Sequence, residues 1–349
     1  MVRRGSGSVR QERAQLRRDL ERLTFARREG DRARAADLST SILERAGRLG
    51  VELQATQAEP IGRAFMDAER VDDATHVFRS ALEFLPPDTD ASVITRLRNP
   101  LVAASAEAGR FAITLAEGDL LLRSPTMAHF PRAQLHTFMA EAERQLGRLE
   151  ASLRHLDLAA YELSALQTTE HIAAKRAFVE ALRGVLAQTA GDPVAADSHL
   201  RTALSTPELD GLRALVLALA GDVLCDLGVL ETAGALLGEA AALAGGGRLA
   251  LRGRVALVRA RLARESGAPG DSLALLDEAE GTLSSSQRWP LVARVHRDRA
   301  RSWTALGRVD EAADSLGRAH DAFVALGCAL EVAAIEAEWS RSGRSAAPG

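Results

Sequence analysis

Trp303-Thr304-Ala305-Leu306-Gly307-Arg308-Val309-Asp310-Glu311-Ala312, with Leu316 and Ala319 behind it, is the clearest copy of a pattern that fills this chain. Its glycine recurs at Gly30, Gly109, Gly147, Gly191, Gly228 and Gly267, and Glu69 stands in at the second place. The intervals are 39, 40, 38, 44, 37, 39 and 40 residues. Five residues after each anchor comes a small side chain: Ala35, Ala74, Thr114, Ser152, Ala196, Ala233, Ser272, Ala312. Nine after it comes a large apolar one in six of eight units: Phe78, Leu156, Leu200, Leu237, Leu276, Leu316. Twelve after it, Ala81, Ala159, Ala203, Ala240, Ala279 and Ala319 repeat. A period of this length means a stack of supersecondary units, each burying its apolar face on the next.

Glycine suits a helix end because it adopts positive φ without a Cβ clash. The positions that follow are offset by four, three and seven residues, so they share one face of the next helix. Seven residues before the anchor, a small residue is again common: Gly62, Ala140, Gly184, Gly221, Ala260, Ala300. The unit is therefore a helical hairpin, closely packed through small residues, with the large side chain filling the space between. The third unit is the weakest copy, with Thr114, Gly118 and Leu121 at the signature places.

The arrangement resembles the tetratricopeptide repeat, over about residues 14 to 326. The resemblance rests on Leu306-Gly307 with Ala312, Leu316 and Ala319, and on Leu227-Gly228 with Ala233, Leu237 and Ala240. It departs in its longer period, nearer 39 than the family's 34, and in its prolines: Pro86 is in register, Pro125 and Pro207 one place early. Longer units of this kind look like the repeat regions of large bacterial regulatory proteins. The resemblance implies an all-α fold: a right-handed superhelical solenoid of about eight antiparallel helix-turn-helix repeats. One more helix, Ala329 to Arg341, is expected to cap it, with Val332, Ile335 and Trp339 on one face. The organisation read from the chain is a disordered arm over residues 1–9, one solenoid domain over 10–341 and a disordered tail over 342–349.

Composition sets further bounds. Hydrophobic residues make up 46% of the 349, enough for a long continuous core, and aromatic residues only 4%, which suits helices packed through Ala and Leu. The formal net charge of -3 argues against nucleic acid. Lys175 is the only lysine, and Ala174 precedes it, so there is no Gly-Lys-Ser/Thr phosphate loop. There is no His-Glu-x-x-His, no Cys-x-x-Cys and no Gly-x-Ser-x-Gly. Cys225 and Cys328 read as unpaired thiols of a cytoplasmic protein. No apolar run is long enough to span a membrane, and the start shows no signal peptide. Asp72-Asp73 recurs as Asp310-Glu311, so it reads as a repeat position that suits the start of a helix. His129 and His136 are seven apart, but Pro131 argues against one helix carrying both. No metal site and no cofactor are expected.

The candidate site lies on the inner surface. The resemblance implies that the groove is lined by residues 13, 10, 6 and 3 places before each anchor. In the seventh unit these include Arg254, Arg261 and Arg264, and in the eighth Arg294, Arg297 and Arg301. Guanidinium groups take carboxylates in a two-pronged geometry, so the row implies a clamp for an acidic peptide or a C-terminal carboxylate. A second reading stands beside it: a solvated face, partly neutralised by Glu265 and Asp298. Further in, the same places hold Phe178 and Val185 in the fifth unit and Asp222 in the sixth. That is either an apolar floor beside a basic rim or simple packing between hairpins. The expected function is a non-catalytic interaction scaffold that holds a protein or peptide in its groove. The alternative is a peptide- or partner-sensing regulatory module without its own DNA-binding or ATPase domain.

Overall fold

The computed structural model describes residues 6–50, 53–206, 211–245 and 248–341. Eight helical hairpins follow one another: α1 (Ser6–Arg28) with α2 (Arg32–Leu49), α3 (Ala55–Asp67) with α4 (Val71–Glu83), α5 (Ala91–Ala108) with α6 (Phe111–Leu122), α7 (His129–Gln145) with α8 (Leu149–Ser164), α9 (Glu170–Thr189) with α10 (Pro193–Leu204), α11 (Arg213–Asp226) with α12 (Leu230–Ala244), α13 (Leu249–Glu265) with α14 (Pro269–Ser285), and α15 (Trp289–Ala305) with α16 (Val309–Leu326). The cap is α17 (Ala329–Arg341). Among the described residues there is no strand. The first helix starts at Ser6, inside the stretch expected as an arm; residues 1–5 and the tail 342–349 lie outside the described residues, as do Pro207 and Gly246-Gly247. The long fourth interval is absorbed mostly as helix, α9 alone running 20 residues.

Every hairpin turn is built alike. The residue after each anchor donates its N–H to the carbonyl five positions back, as Arg110 does to Ser105 at 2.7 Å and Arg308 to Trp303 at 2.9 Å. This bond demands a left-handed residue just before the donor. Seven glycine anchors supply it, at φ between 72° and 83°. Glu69 supplies it at φ 61°, against the usual preference of a residue with a Cβ.

The small and large positions meet as the spacing predicts. A Cβ on Gly62 would lie 2.5 Å from the Phe78 ring, one on Gly184 2.9 Å from Leu200, and one on Gly221 2.8 Å from Leu237. The two units without a large residue at +9 swap the sizes. Leu23 and Val102 are fully buried at the place seven before the anchor, opposite Ser39 and Gly118. Met139 of the next hairpin fills the space beside Gly118, where a Cβ would lie 2.7 Å from its sulfur. The weak third unit thus keeps the volume and reverses its donor, as close packing requires.

The superhelix returns on itself, so units far apart in the stack also meet. The Glu69 carboxylate accepts the backbone N–H groups of Leu249 at 2.8 Å and Ala250 at 2.9 Å, at the start of α13. Gln287, between α14 and α15, reaches the start of α4. Its Oε1 accepts from the N–H groups of Asp72 at 2.9 Å and Asp73 at 3.1 Å, and its Nε2 donates to the Asp73 carboxylate at 2.8 Å. Trp289 Nε1 donates to Asp72 at 3.1 Å, and Arg288 pairs with Glu107. Behind this seam, Phe111 and Ala142 share one buried cluster with Ala293, Phe323, Cys328 and Ile335. The cap helix therefore covers an apolar face made by the third, fourth and eighth units. The reason is geometric: a coil that completes its turn within eight units brings the early turns against the late ones.

Candidate ligand cavity

Inside the ring, the first helices of units four to eight converge on a cavity of about 280 Å³. Phe138 on α7, Phe178, Leu182 and Val185 on α9, Leu215 and Leu219 on α11, and Leu251 on α13 form its apolar wall. Phe111, Leu291 and Pro290 reach it from the seam side. Five arginines line it as well: Arg144, Arg248, Arg254, Arg288 and Arg294.

Four of those five have a carboxylate. Arg144 pairs with Glu141 at 2.7 Å, Arg294 with Asp222 at 2.7 Å, Arg248 with Glu69 at 3.9 Å, and Arg288 with Glu107. Arg254 makes no hydrogen bond or ion pair with any described residue. Burial pushes its pKa down to about 10, with Glu141 pulling the other way and Arg294 and Arg144 adding to the push. A half-buried cation beside apolar side chains and without a partner is costly to keep, because water no longer fully solvates it and no carboxylate replaces that water.

The arginine row of the sequence reading divides in the structure. Arg254 and Arg294 line the cavity together with Phe178, Val185 and Asp222. Arg261, Arg264, Arg297 and Arg301 are not among its lining residues; they form an ion-pair ladder along the inner face. Arg261 binds Asp222 at 2.9 Å and also Asp226. Arg264 binds Asp298 at 2.9 Å and Glu265 at 2.8 Å. Arg301 binds Glu338 at 2.5 Å and Asp298 at 3.5 Å, and Arg297 binds Glu338 at 2.5 Å and also Glu331. Asp222 is the hub. Burial alone would raise its carboxyl, but Arg294 and Arg261 hold it well below the usual carboxylate range.

Glu141 and Arg144 were legible but not singled out, since they stand six and three places before Gly147, where the same register points inward. Arg248 and Arg288 were not, because they enter from loops across the seam. The histidines form local pairs. Pro131 occupies the first turn of α7, where a proline costs no hydrogen bond, so His129 and His136 do share a helix. His129 meets Glu162 at 2.6 Å, and His136 meets His155 at 3.0 Å, Nδ1 to Nδ1. Burial pushes the His136 pKa down to about 4, helped by His155 and Arg132 and opposed by Glu162. Burial also pushes the thiols up, Cys225 to about 11 and Cys328 to about 12. Trp303 is half-buried, with Arg308 stacked 5.1 Å above its ring. Among the described residues no helix is long and apolar enough to cross a membrane.

No protein-family model matches the sequence, and no curated protein matches it. Solved structures do match in fold. One is a Rap protein complexed with competence and sporulation factor: TM-score 0.62, 13% identity, covering 90% of this chain and 98% of that one. Another is the Rap conjugation gene regulator of the plasmid pLS20 in complex with the Phr* peptide: TM-score 0.60, 12% identity, covering 89% and 96%. The fold is that of the tetratricopeptide-repeat proteins, over nearly the whole chain.

Proposed function

We propose that this chain is a non-catalytic, peptide-sensing interaction module that binds its ligand inside the ring. The observation that carries the reading is Arg254, one unpaired cation facing a mostly apolar cavity in which every other arginine is neutralised. Such a site suits a ligand with an apolar body and one carboxylate, as an acidic peptide or a peptide C-terminus provides. Two structures of the same fold that were solved with a bound factor or peptide support it. A catalytic role finds less support. The cavity carboxylates are tied to arginines, and burial keeps both thiols protonated near neutral pH. Partners are a peptide or the tail of a protein, with no nucleic acid or membrane, in the cytoplasm.

The sensing reading gains over the rigid scaffold from the ring itself. Units three to eight line one cavity, and the seventh and eighth are held across the seam to the second and third, so a ligand there bears on the closure and can favour one shape of the superhelix. The test is capture from a randomised hexapeptide pool, made once with free carboxyl ends and once amidated, on wild type and on Arg254→Gln. The expected result is enrichment of free-carboxyl or acidic peptides on wild type alone. Equal enrichment on both proteins removes Arg254 from the site. Enrichment on neither defeats the peptide reading.

A further inference from the structure

Among the described residues, only Glu69 and Gln287 hold positive φ without being glycine. Both stand in left-handed helix-end turns of a kind that glycine fills elsewhere, as at Gly228 and Gly327: Arg70 N–H bonds to Phe65 at 2.8 Å after Glu69, and Arg288 N–H to Leu283 at 2.9 Å after Gln287. The backbone conformation therefore favours glycine at both places, since any side chain there adds strain. Both side chains also do the same unusual thing. Each leaves its own repeat, crosses the seam and accepts two backbone N–H groups at the start of a distant helix, Glu69 at α13 and Gln287 at α4. A helix start carries unpaired N–H groups and partial positive charge, so an oxygen acceptor there satisfies both. Glu69 is buried at this contact, and Arg248 stands 3.9 Å from its carboxylate.

The two contacts are reciprocal: an early turn caps a late helix, and a late turn caps an early one. They also border the cavity. Arg248 and Ala250 flank the Glu69 contact, Arg288 and Pro290 flank the Gln287 contact, and all four line the cavity wall. We infer that Glu69 and Gln287 are clasps that close the ring and so position the cavity wall, making the ligand site a product of ring closure. The part that concerns ligand rests on the reading above. If the site exists only in the closed ring, closure and occupancy stabilise each other by linkage. That would let a ligand inside be felt at the seam outside.

Glycine is the test residue, because it suits the turn and removes only the reach across the seam. The double variant Glu69→Gly with Gln287→Gly is compared with wild type by far-ultraviolet circular dichroism, native-state hydrogen exchange and binding of 1-anilinonaphthalene-8-sulfonate, an apolar anion suited to the cavity. Helix content should be unchanged. Amide protection at Asp72, Asp73, Leu249 and Ala250 should fall, and dye binding that depends on Arg254 should weaken at least about fivefold. Unchanged protection overturns the clasp. Lost protection with unchanged dye affinity overturns its role in positioning the cavity. If wild-type dye binding does not depend on Arg254, the ligand reading fails, and the exchange experiment still decides the clasp. Gln287→Asn keeps the amide but shortens its reach, and it should behave like the glycine variant at the α4 amides.

Discussion

Arg254 and Arg294 hold the same place in adjacent repeats, 13 residues before their glycines, and both face the cavity. Arg294 lies 2.7 Å from Asp222 and shares it with Arg261. Among the described residues Arg254 has no such partner. Identical residues in identical register thus serve different ends. Arg294 is part of the wall, held by Asp222 of the sixth unit. Arg254 has no carboxylate among the described residues, and it is the arginine proposed to hold the ligand. An arginine-rich face is by itself weak evidence of a binding site, and the unpaired member of a paired row is stronger.

The paired side should break hardest. Asp222→Ala leaves Arg294 without its carboxylate and Arg261 with Asp226 alone, a loss of about 3–5 kcal/mol for a buried pair cut on one side. Urea unfolding measures it, and a loss under about 1 kcal/mol would mean that water serves these arginines as well as Asp222 does. Glu338→Gln probes the outer end of the ladder, where Arg297 and Arg301 share a partly exposed carboxylate. About 1 kcal/mol is expected, shrinking in high salt.

The titration of the hubs sharpens the contrast. Arg294 and Arg261 pull the Asp222 carboxyl below its usual 3.8, outweighing its burial, so its contribution is present above pH 3.8 and is lost as pH falls further. Asp222→Asn should flatten that acid limb. His136 acts in a separate window. Burial lowers its pKa from 6.5 to about 4, so the unfolded chain takes up the proton first and stability falls as pH drops between those values. At most about 3 kcal/mol is expected from it, and His136→Phe should remove the slope between pH 6.5 and 4 in thermal melts. The smallest stability effect belongs to Arg254. Arg254→Gln should melt at the wild-type temperature or slightly above it, within about 1 kcal/mol, because it deletes an unpaired cation. A large loss of stability would show that Arg254 is structural, and the comparison with Arg294 would collapse.

Much of this was open to reading in the chain. The glycine spacing located all eight hairpin turns, and the residues at +5, +9 and +12 marked the packed faces. Glu69 was visible as an exception but not as a clasp. The third unit looked weak, and the first lacked the large residue at +9, because only one partner of each size pair was being read: Leu23 with Ser39, and Val102 with Gly118, keep the combined volume. The register also placed Phe178, Val185, Asp222, Arg254 and Arg294 on the inner face. It gave no means of telling Arg254 from Arg297, since pairing depends on acids brought from other units and from the cap.

The sequence by itself determined the hairpin, its repetition and the inward face, because those follow from local backbone preference and from contacts within one or two units. Only the tertiary structure decided that the superhelix closes, that Glu69 and Gln287 reach across the seam, and that one arginine in the row has no partner among the described residues. Those depend on contacts between residues some 180 to 215 positions apart, as in the Glu69–Leu249 and Asp72–Gln287 bonds. Small rotations between successive units add up over the array to set such contacts, and no local pattern encodes their sum.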